Sequence, residues 1–322
     1  MLPVLKFTPI YKSVLWGGTR ICRFKGVASE GDTIGESWEL SPMPGHESVV
    51  AEGPFAGRTL NSLVEEYPEA ILGANVVKRF GANFPLLIKF IDSTSDLSIQ
   101  VHPDDALAAK RHNSLGKTEM WYSVLPTPDA YLYAGFSQEM TPDKFRAMVA
   151  DSTIVDALSK YYTKPGDVFF LPAGRVHAIG RGNFVLEIQE ASDITYRIYD
   201  YNRRDAQGNL RQLHVDESVD AINYADKAQD VKNIAAAPGQ QAMVEDCNYF
   251  TTTLVNVDGS FHLALEDRPS FTILIATKGA PEVTAPDGTV SALPQGQTLL
   301  VPAEVPYVDL KGDGEVVTVF IR

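Results

Sequence analysis

GDVFFLPAGRVH, Gly166 to His177, decides how this chain is read. Asp167 to Leu171 is short, apolar and aromatic, as a buried strand is. Pro172 and Gly174 then impose a turn, because proline fixes its own φ and glycine tolerates conformations closed to other residues. His177 follows as the chain enters a second strand. A turn held that firmly aims one imidazole at a fixed point, which a metal site requires. The stretch gains meaning if partners for His177 lie elsewhere.

Upstream, PLLIKFID (85–92) is an apolar run of strand length, and SIQVH (98–102) alternates as a second strand. Gln100 and His102 are two apart and share a strand face. Pro103-Asp104-Asp105 opens a helix, DDALAAKRHN, whose acidic first turn and basic last turn suit the helix dipole. Glu119 begins the next strand, EMWYSVL. With His177 these residues offer two imidazoles, one carboxylate and one amide oxygen. That set suits zinc or another divalent first-row metal with an open position for substrate. The spacing is not that of a zinc finger, so the site depends on a fold that gathers the strands. The competing reading is structural: strand histidines held by hydrogen bonds, with Gln100 and Glu119 as ordinary surface positions.

Further strands are expected at 7–11, 37–40, 131–135, 184–189 and 194–199, and short helices at 59–66 and 68–73. Thr141-Pro142 opens a helical segment to about residue 160, which makes 103–165 a mostly helical insertion. Residues 203–212 read as loop and 216–223 as helix. From 226 to 243 the composition turns to Ala, Gln and Lys around Pro238-Gly239, as an exposed connection does. The remainder is nearly all short strands, at 250–257, 261–265, 271–277, 298–301 and 316–321, separated by turns such as Asp258-Gly259 and Asp287-Gly288. GQTLLVPAEVPYVDL, from Gly296, echoes the opening stretch, with Tyr307 where the first copy has His177. The expected fold is mainly β, two similar barrels, the second without the metal histidine. The expected domains are 1–240, carrying the chemistry, and 241–322.

The chain has 322 residues, room for two domains, and a net charge of −13. That balance argues against binding nucleic acid or an anionic membrane, and an anionic small substrate would need a local cationic pocket. Cys22 and Cys247 form no CxxC pair, so no disulfide framework is expected. No signal-peptide or membrane-spanning segment is evident, and a cytoplasmic enzyme is the default expectation.

Gly166-x5-Pro172-x-Gly174-x2-His177 resembles the second sequence motif of the cupins. The first cupin motif differs here, with Gln100 in place of a histidine and sixteen residues between His102 and Glu119. QVHPDD (100–105), GKTEMWY (116–122), LPAGRVHAIG (171–180) and EIQEASDITYRIYDYNR (187–203), with WGG (16–18) and GESWELS (35–41), resemble the short bacterial type I mannose-6-phosphate isomerases. The resemblance spans roughly residues 4–210. It implies two cupin (jelly-roll) barrels, one zinc ion per chain bound by Gln100, His102, Glu119 and His177, and interconversion of mannose 6-phosphate and fructose 6-phosphate through an enediol. Gln100 is the weakest of the implied ligands, since amide oxygens bind zinc poorly.

Lys117, two before Glu119, falls on the same face if the strand begins there. It suits sugar oxygens or ring opening; otherwise it is a solvated loop lysine. Arg197 matches the family's catalytic arginine, and its fixed charge suits an enediolate or a phosphate. Asp193 matches a family aspartate proposed for acid–base work; otherwise it pairs with Arg197 or caps a turn. For the phosphate, Arg203, Arg204 and Arg175 are candidates, with no Walker-type loop present. His46, His112, His214 and His262 show no partner pattern. Trp16, Trp38 and Trp121 read as core or pocket wall. Two alternatives stay open: a non-catalytic zinc cupin that binds a sugar or sugar phosphate, and a metal cupin acting on another sugar phosphate.

Overall fold

The computed structural model describes residues 1–28, 33–204, 208–226 and 231–322. Strands hold 40% of the chain and helices 17%, so strand pairing organises it. The strands form antiparallel sheets of nine, seven and five members.

Period-2 alternation decides what lies between the sheets. In the seven-stranded sheet, Leu86–Asp92, Glu119–Ser123 and Phe184–Glu190 are buried on both faces. On one face Ile88, Phe90, Met120, Tyr122, Leu186 and Ile188 join a core shared with the short helices, with Phe271, and with Ile273 and Val317 of the nine-stranded sheet. On the other face Ile91, Trp121, Phe169 and Val185 pack against Leu132, Ala134 and Ile179 of the five-stranded sheet. Phe169 is fully buried there, worth roughly 1.5–3 kcal/mol. Polar residues on the inner faces are thereby held between the two sheets. The outer face of the five-stranded sheet is covered by Phe145 and Val149 of the Pro142–Ala150 helix and by Ile222.

Three expectations change. The segment 103–165 is not a mostly helical insertion. It contains the helices Asp105–His112 and Pro142–Ala150, but also the strands Glu119–Ser123, Tyr131–Phe136 and Leu158–Tyr162, which are members of the two facing sheets. The second helix stops at Ala150 rather than about residue 160. Ser152 takes a left-handed φ of 60°, a short 3-10 turn follows at Ile154–Ala157, and Leu158–Tyr162 then pairs with Tyr131–Phe136. Asp258-Gly259 is not a turn between two strands. Thr251–Ala264 runs on through it and pairs along its whole length with Tyr307–Phe320.

The N-terminus is divided between sheets. Leu5–Thr8 pairs with Thr298–Val301 in the nine-stranded sheet, whereas Ile10–Gly18 joins the seven-stranded one. The echo between Gly166 and Gly296 is structural. Both glycines have positive φ, 85° and 80°, and both precede a strand, a Pro-Ala turn and a new strand that opens at His177 or Tyr307. The positive φ is what a side chain would resist.

Candidate metal centre and cleft

Register places the candidate residues. In the five-stranded sheet Arg197 pairs with Gln100, Gln100 with His177 and His177 with Ala134, giving a cross-strand row. His102 follows the Ile99–Val101 strand, two residues beyond Gln100. Across the sandwich, Glu119 begins its strand opposite Leu171, at the foot of the turn that leads to His177. Two residues of strand alternation in one sheet and one strand start in the other therefore converge.

His102, Glu119 and His177 are all buried, and one ligand atom from each lies within 4.8 Å of the others. His102 Nε2 is 3.5 Å from Glu119 Oε2, and His177 Nε2 is 3.3 Å from Glu119 Oε1. Each imidazole donates its Nδ1–H to a backbone carbonyl at 2.9 Å, His102 to Ile194 and His177 to Arg175. Those bonds fix the tautomer and turn both Nε2 lone pairs inward, as metal ligands require. His102 Nε2 and both Glu119 carboxylate oxygens accept no hydrogen bond, although fully buried. Buried polar atoms are rarely left so, and three of them aimed at one point are what a divalent cation satisfies. The donor set fits.

Burial lowers the His102 pKa to about 3, helped by the Lys117 charge, and lowers that of His177 as well. Both rings are thus neutral and free to ligate. Burial opposes ionisation of Glu119, but the neighbouring positive charge of Lys117 leads the influences that outweigh it and hold the carboxyl well below its ordinary range. Lys117 Nζ stands 3.1 Å from Glu119 Oε2. Gln100 turns its Nε2 toward His177 Nε2 at 3.2 Å, so here it is a hydrogen-bond donor to the centre.

Beside the centre, joined to it through Gln100 and Lys117, opens a cleft of about 240 Å³, near the roughly 300 Å³ lower end for small-molecule sites. Gln100, Lys117, Asp193 and Arg197 all line it, with Trp16 and Trp38 as walls. Asp193 lies before the Tyr196–Tyr199 strand rather than on it, yet reaches the same cleft. Trp121 is buried beneath, its ring 5.4 Å from that of His177.

The sequence reading missed Lys89, Glu187 and Glu36, which also line the cleft. One cross-strand row holds Lys89 and Glu187: Trp38 opposite Lys89, Lys89 opposite Glu187, Glu187 opposite Trp121, with Glu36 two residues before Trp38 on its strand. Lys89 Nζ lies 3.1 Å from Glu187 Oε1, and Trp121 donates its Nε1–H to Glu187 Oε2 at 2.8 Å. Burial, then the nearby Glu119 charge, push the Glu187 pKa up against the pull of Lys89. The signal was a charged residue at an inward position in the apolar middle of two strands, LLIKFID and FVLEIQE. The remaining histidines stay outside the cleft: His112 bonds Tyr196, His214 bonds the Arg197 backbone, His46 meets Lys12, and His262 pairs with Asp309.

Comparison with known proteins gives the context. The mannose-6-phosphate isomerase ManA of Bacillus subtilis (strain 168) is 33% identical over 314 residues, covering 97% of this chain and 96% of that protein. The chain belongs to the type I phosphomannose isomerases. The family's catalytic-domain pattern, "Phosphomannose isomerase type I, catalytic domain", matches residues 4–124, and "Mannose-6-phosphate isomerase, cupin domain" matches 240–321. The mannose-6-phosphate isomerase of Streptococcus mutans is 31% identical over 317 residues, 98% of this chain and 97% of that one. The crystal structure of the mannose 6-phosphate isomerase from Bacillus subtilis superposes with a TM-score of 0.89 at 31% identity, covering 99% of this chain and all of that one. Among type I phosphomannose isomerases this chain thus keeps a full-length partner in both sequence and fold. Among the described residues, no helix is long and apolar enough to cross a membrane.

Proposed function

We propose that this phosphomannose isomerase interconverts mannose 6-phosphate and fructose 6-phosphate at the cleft beside His102, Glu119 and His177. The observation that carries the reading is the buried triad, three of whose ligand atoms have no hydrogen-bond partner, joined through Gln100 and Lys117 to a cleft that Asp193 and Arg197 also line. Two imidazoles and one carboxylate suit zinc, and these three side chains would hold it. Gln100, which presents Nε2 to His177, would ligate only through its other amide atom, Oε1. When bound, the cation supplies a Lewis acid that stabilises negative charge on the sugar's C1 and C2 oxygens.

The chain's own residues do the rest. A proton must move between C1 and C2, and the oxygens must exchange theirs. Glu187 lines the cleft, and burial followed by the nearby Glu119 charge raises its pKa from the ordinary carboxylate value, the direction that suits a group that takes and returns a proton. Lys89, bonded to Glu187 Oε1, fixes that carboxylate's orientation. Lys117 and Asp193 face the sugar hydroxyls and serve ring opening and proton exchange on oxygen. Arg197 keeps a permanent charge, and its buried Nε has no hydrogen-bond partner, so it is free to steady the enediolate. Trp16 and Trp38 form part of the cleft wall.

The region to about residue 240 is read as the catalytic cupin and 241–322 as a second cupin without chemistry, since Tyr307 stands at the turn where the first has His177. A purely sugar-binding protein has no need of Lys117, Glu187, Asp193 and Arg197 in one cleft. A coupled assay tests the reading. Mannose 6-phosphate should give fructose 6-phosphate, while glucose 6-phosphate, the C2 epimer, should turn over far more slowly. Equal turnover of both, or of neither, would overturn it.

A further inference from the structure

The sugar's phosphate still lacks a partner, and the three arginines that the sequence suggests are engaged elsewhere. Arg175 is buried and donates two hydrogen bonds of 2.7 Å to Asp226 and one to the Phe170 carbonyl. Arg203 pairs with Asp200 and donates to the Asp96 carbonyl. Arg204 is exposed, donates to the Gly208 carbonyl, and does not line the cleft.

Arg211 differs from all three. It lines the inner cleft with Gln100, Lys117 and Arg197, and also the adjoining surface cleft formed by Ser13, Leu15 and Thr33. It therefore stands on the rim between the two. Among the described residues its carboxylate partner is Asp200, at 3.7 Å, and Asp200 is already paired more closely with Arg203. Arg197 lies near enough for the two guanidinium charges to repel. After burial, Arg211 is the largest influence lowering the Arg197 pKa.

The segment is fastened in place. Arg197 Nη1 donates to the Gln212 carbonyl at 3.1 Å, and His214 N donates to the Arg197 carbonyl at 2.7 Å. Two like charges are thus held side by side at the end of a cleft, with one carboxylate shared between Arg211 and Arg203. In a chain of net charge −13 this is a local positive field. A phosphate monoester dianion answers it, because guanidinium forks match phosphate oxygens in geometry and charge. The half-buried Arg197 lies deeper and serves the reacting end of the sugar, while Arg211 is more exposed.

We propose that Arg211 anchors the substrate's phosphate at the rim and so sets the preference for phosphorylated over free sugar. This rests on the isomerase reading of the cleft.

The test compares the metal-loaded parent, Arg211→Gln, Arg211→Lys and, as control, Arg204→Gln. Arg211→Gln should raise both KM for mannose 6-phosphate and the inhibition constant of inorganic phosphate ~10-fold or more, the worth of one charge-assisted hydrogen-bonded contact, with most of the loss in KM rather than kcat. Arg211→Lys should recover part of it, and Arg204→Gln should match the parent. KM and inhibition constant both unchanged in Arg211→Gln would overturn the proposal. A weakened inorganic phosphate with an unchanged KM would also overturn it, since the site would then serve free phosphate. If the parent fails to isomerise mannose 6-phosphate, the isomerase reading falls. Calorimetric titration of parent and Arg211→Gln with inorganic phosphate then decides Arg211 separately: equal affinity removes it.

Discussion

Replacing Glu187 by Gln separates stability from chemistry at the centre of the cleft. Glu187 and Lys89 are 3% and 7% exposed, and their charged atoms are 3.1 Å apart. The Gln amide oxygen can keep the 2.8 Å bond from Trp121 Nε1, so the principal loss is the charge that faces Lys89. Removing one partner of a buried pair costs about 3–5 kcal/mol, because the other charge stays buried and uncompensated. Glu36 also favours the charged form of Lys89, which places the expected cost near the lower end, about 3 kcal/mol. Equilibrium urea unfolding measures it. Adding Lys89→Met removes the stranded charge and should recover most of the stability. Turnover should not return, since loss of a general acid–base group costs about 10²–10⁴-fold. Glu187→Gln with stability within about 0.5 kcal/mol of the parent would refute the electrostatic argument. A double variant with near-parent turnover would refute the proton-transfer role.

Two other perturbations follow from the same geometry. Glu190 is buried, accepts the Thr118 N–H at 2.6 Å, and has its pKa pushed up to about 8 by burial. Between about 4.5 and 8 the folded chain keeps a proton that the unfolded chain releases, so this group should make stability fall as pH rises through that window. Glu190→Gln should flatten the slope in urea unfolding, and an unaltered slope would show that Glu190 is ionised in the fold. Arg197→Ala should keep its metal, measured by atomic absorption, and lose turnover; near-parent turnover would reassign the arginine.

The sequence carried the site better than it carried the scaffold. Alternation in SIQVH put Gln100 and His102 on one face, and the turn before His177 fixed a third group. Lys117, placed by its spacing from Glu119, and Arg197 both line the cleft. Lys89 and Glu187 were legible only as a pair. Each is a charge flanked by apolar residues within its strand, and its meaning depends on register between strands 98 residues apart. Arg211 lies in a polar stretch without periodicity, so its position is set by tertiary bonds to Gln212 and His214 and not by local pattern. The scaffold was misread where local helix signals gave way to pairing. Thr141-Pro142 correctly opened a helix, but Leu158–Tyr162 found a sheet partner and became a strand. Asp258-Gly259 has turn chemistry, yet lies opposite Gly312 and Asp313, and the ladder runs through both.

The central claim is that turnover depends on a cation held by His102, Glu119 and His177. The direct measurement is mannose 6-phosphate isomerisation by chelator-stripped enzyme, with metal content determined on the same sample, before and after one equivalent of zinc is added. The stripped enzyme should be inactive and regain activity in proportion to bound zinc, with His177→Ala neither binding the ion nor recovering. Full turnover by enzyme without metal, or full zinc occupancy in His177→Ala, would contradict the account.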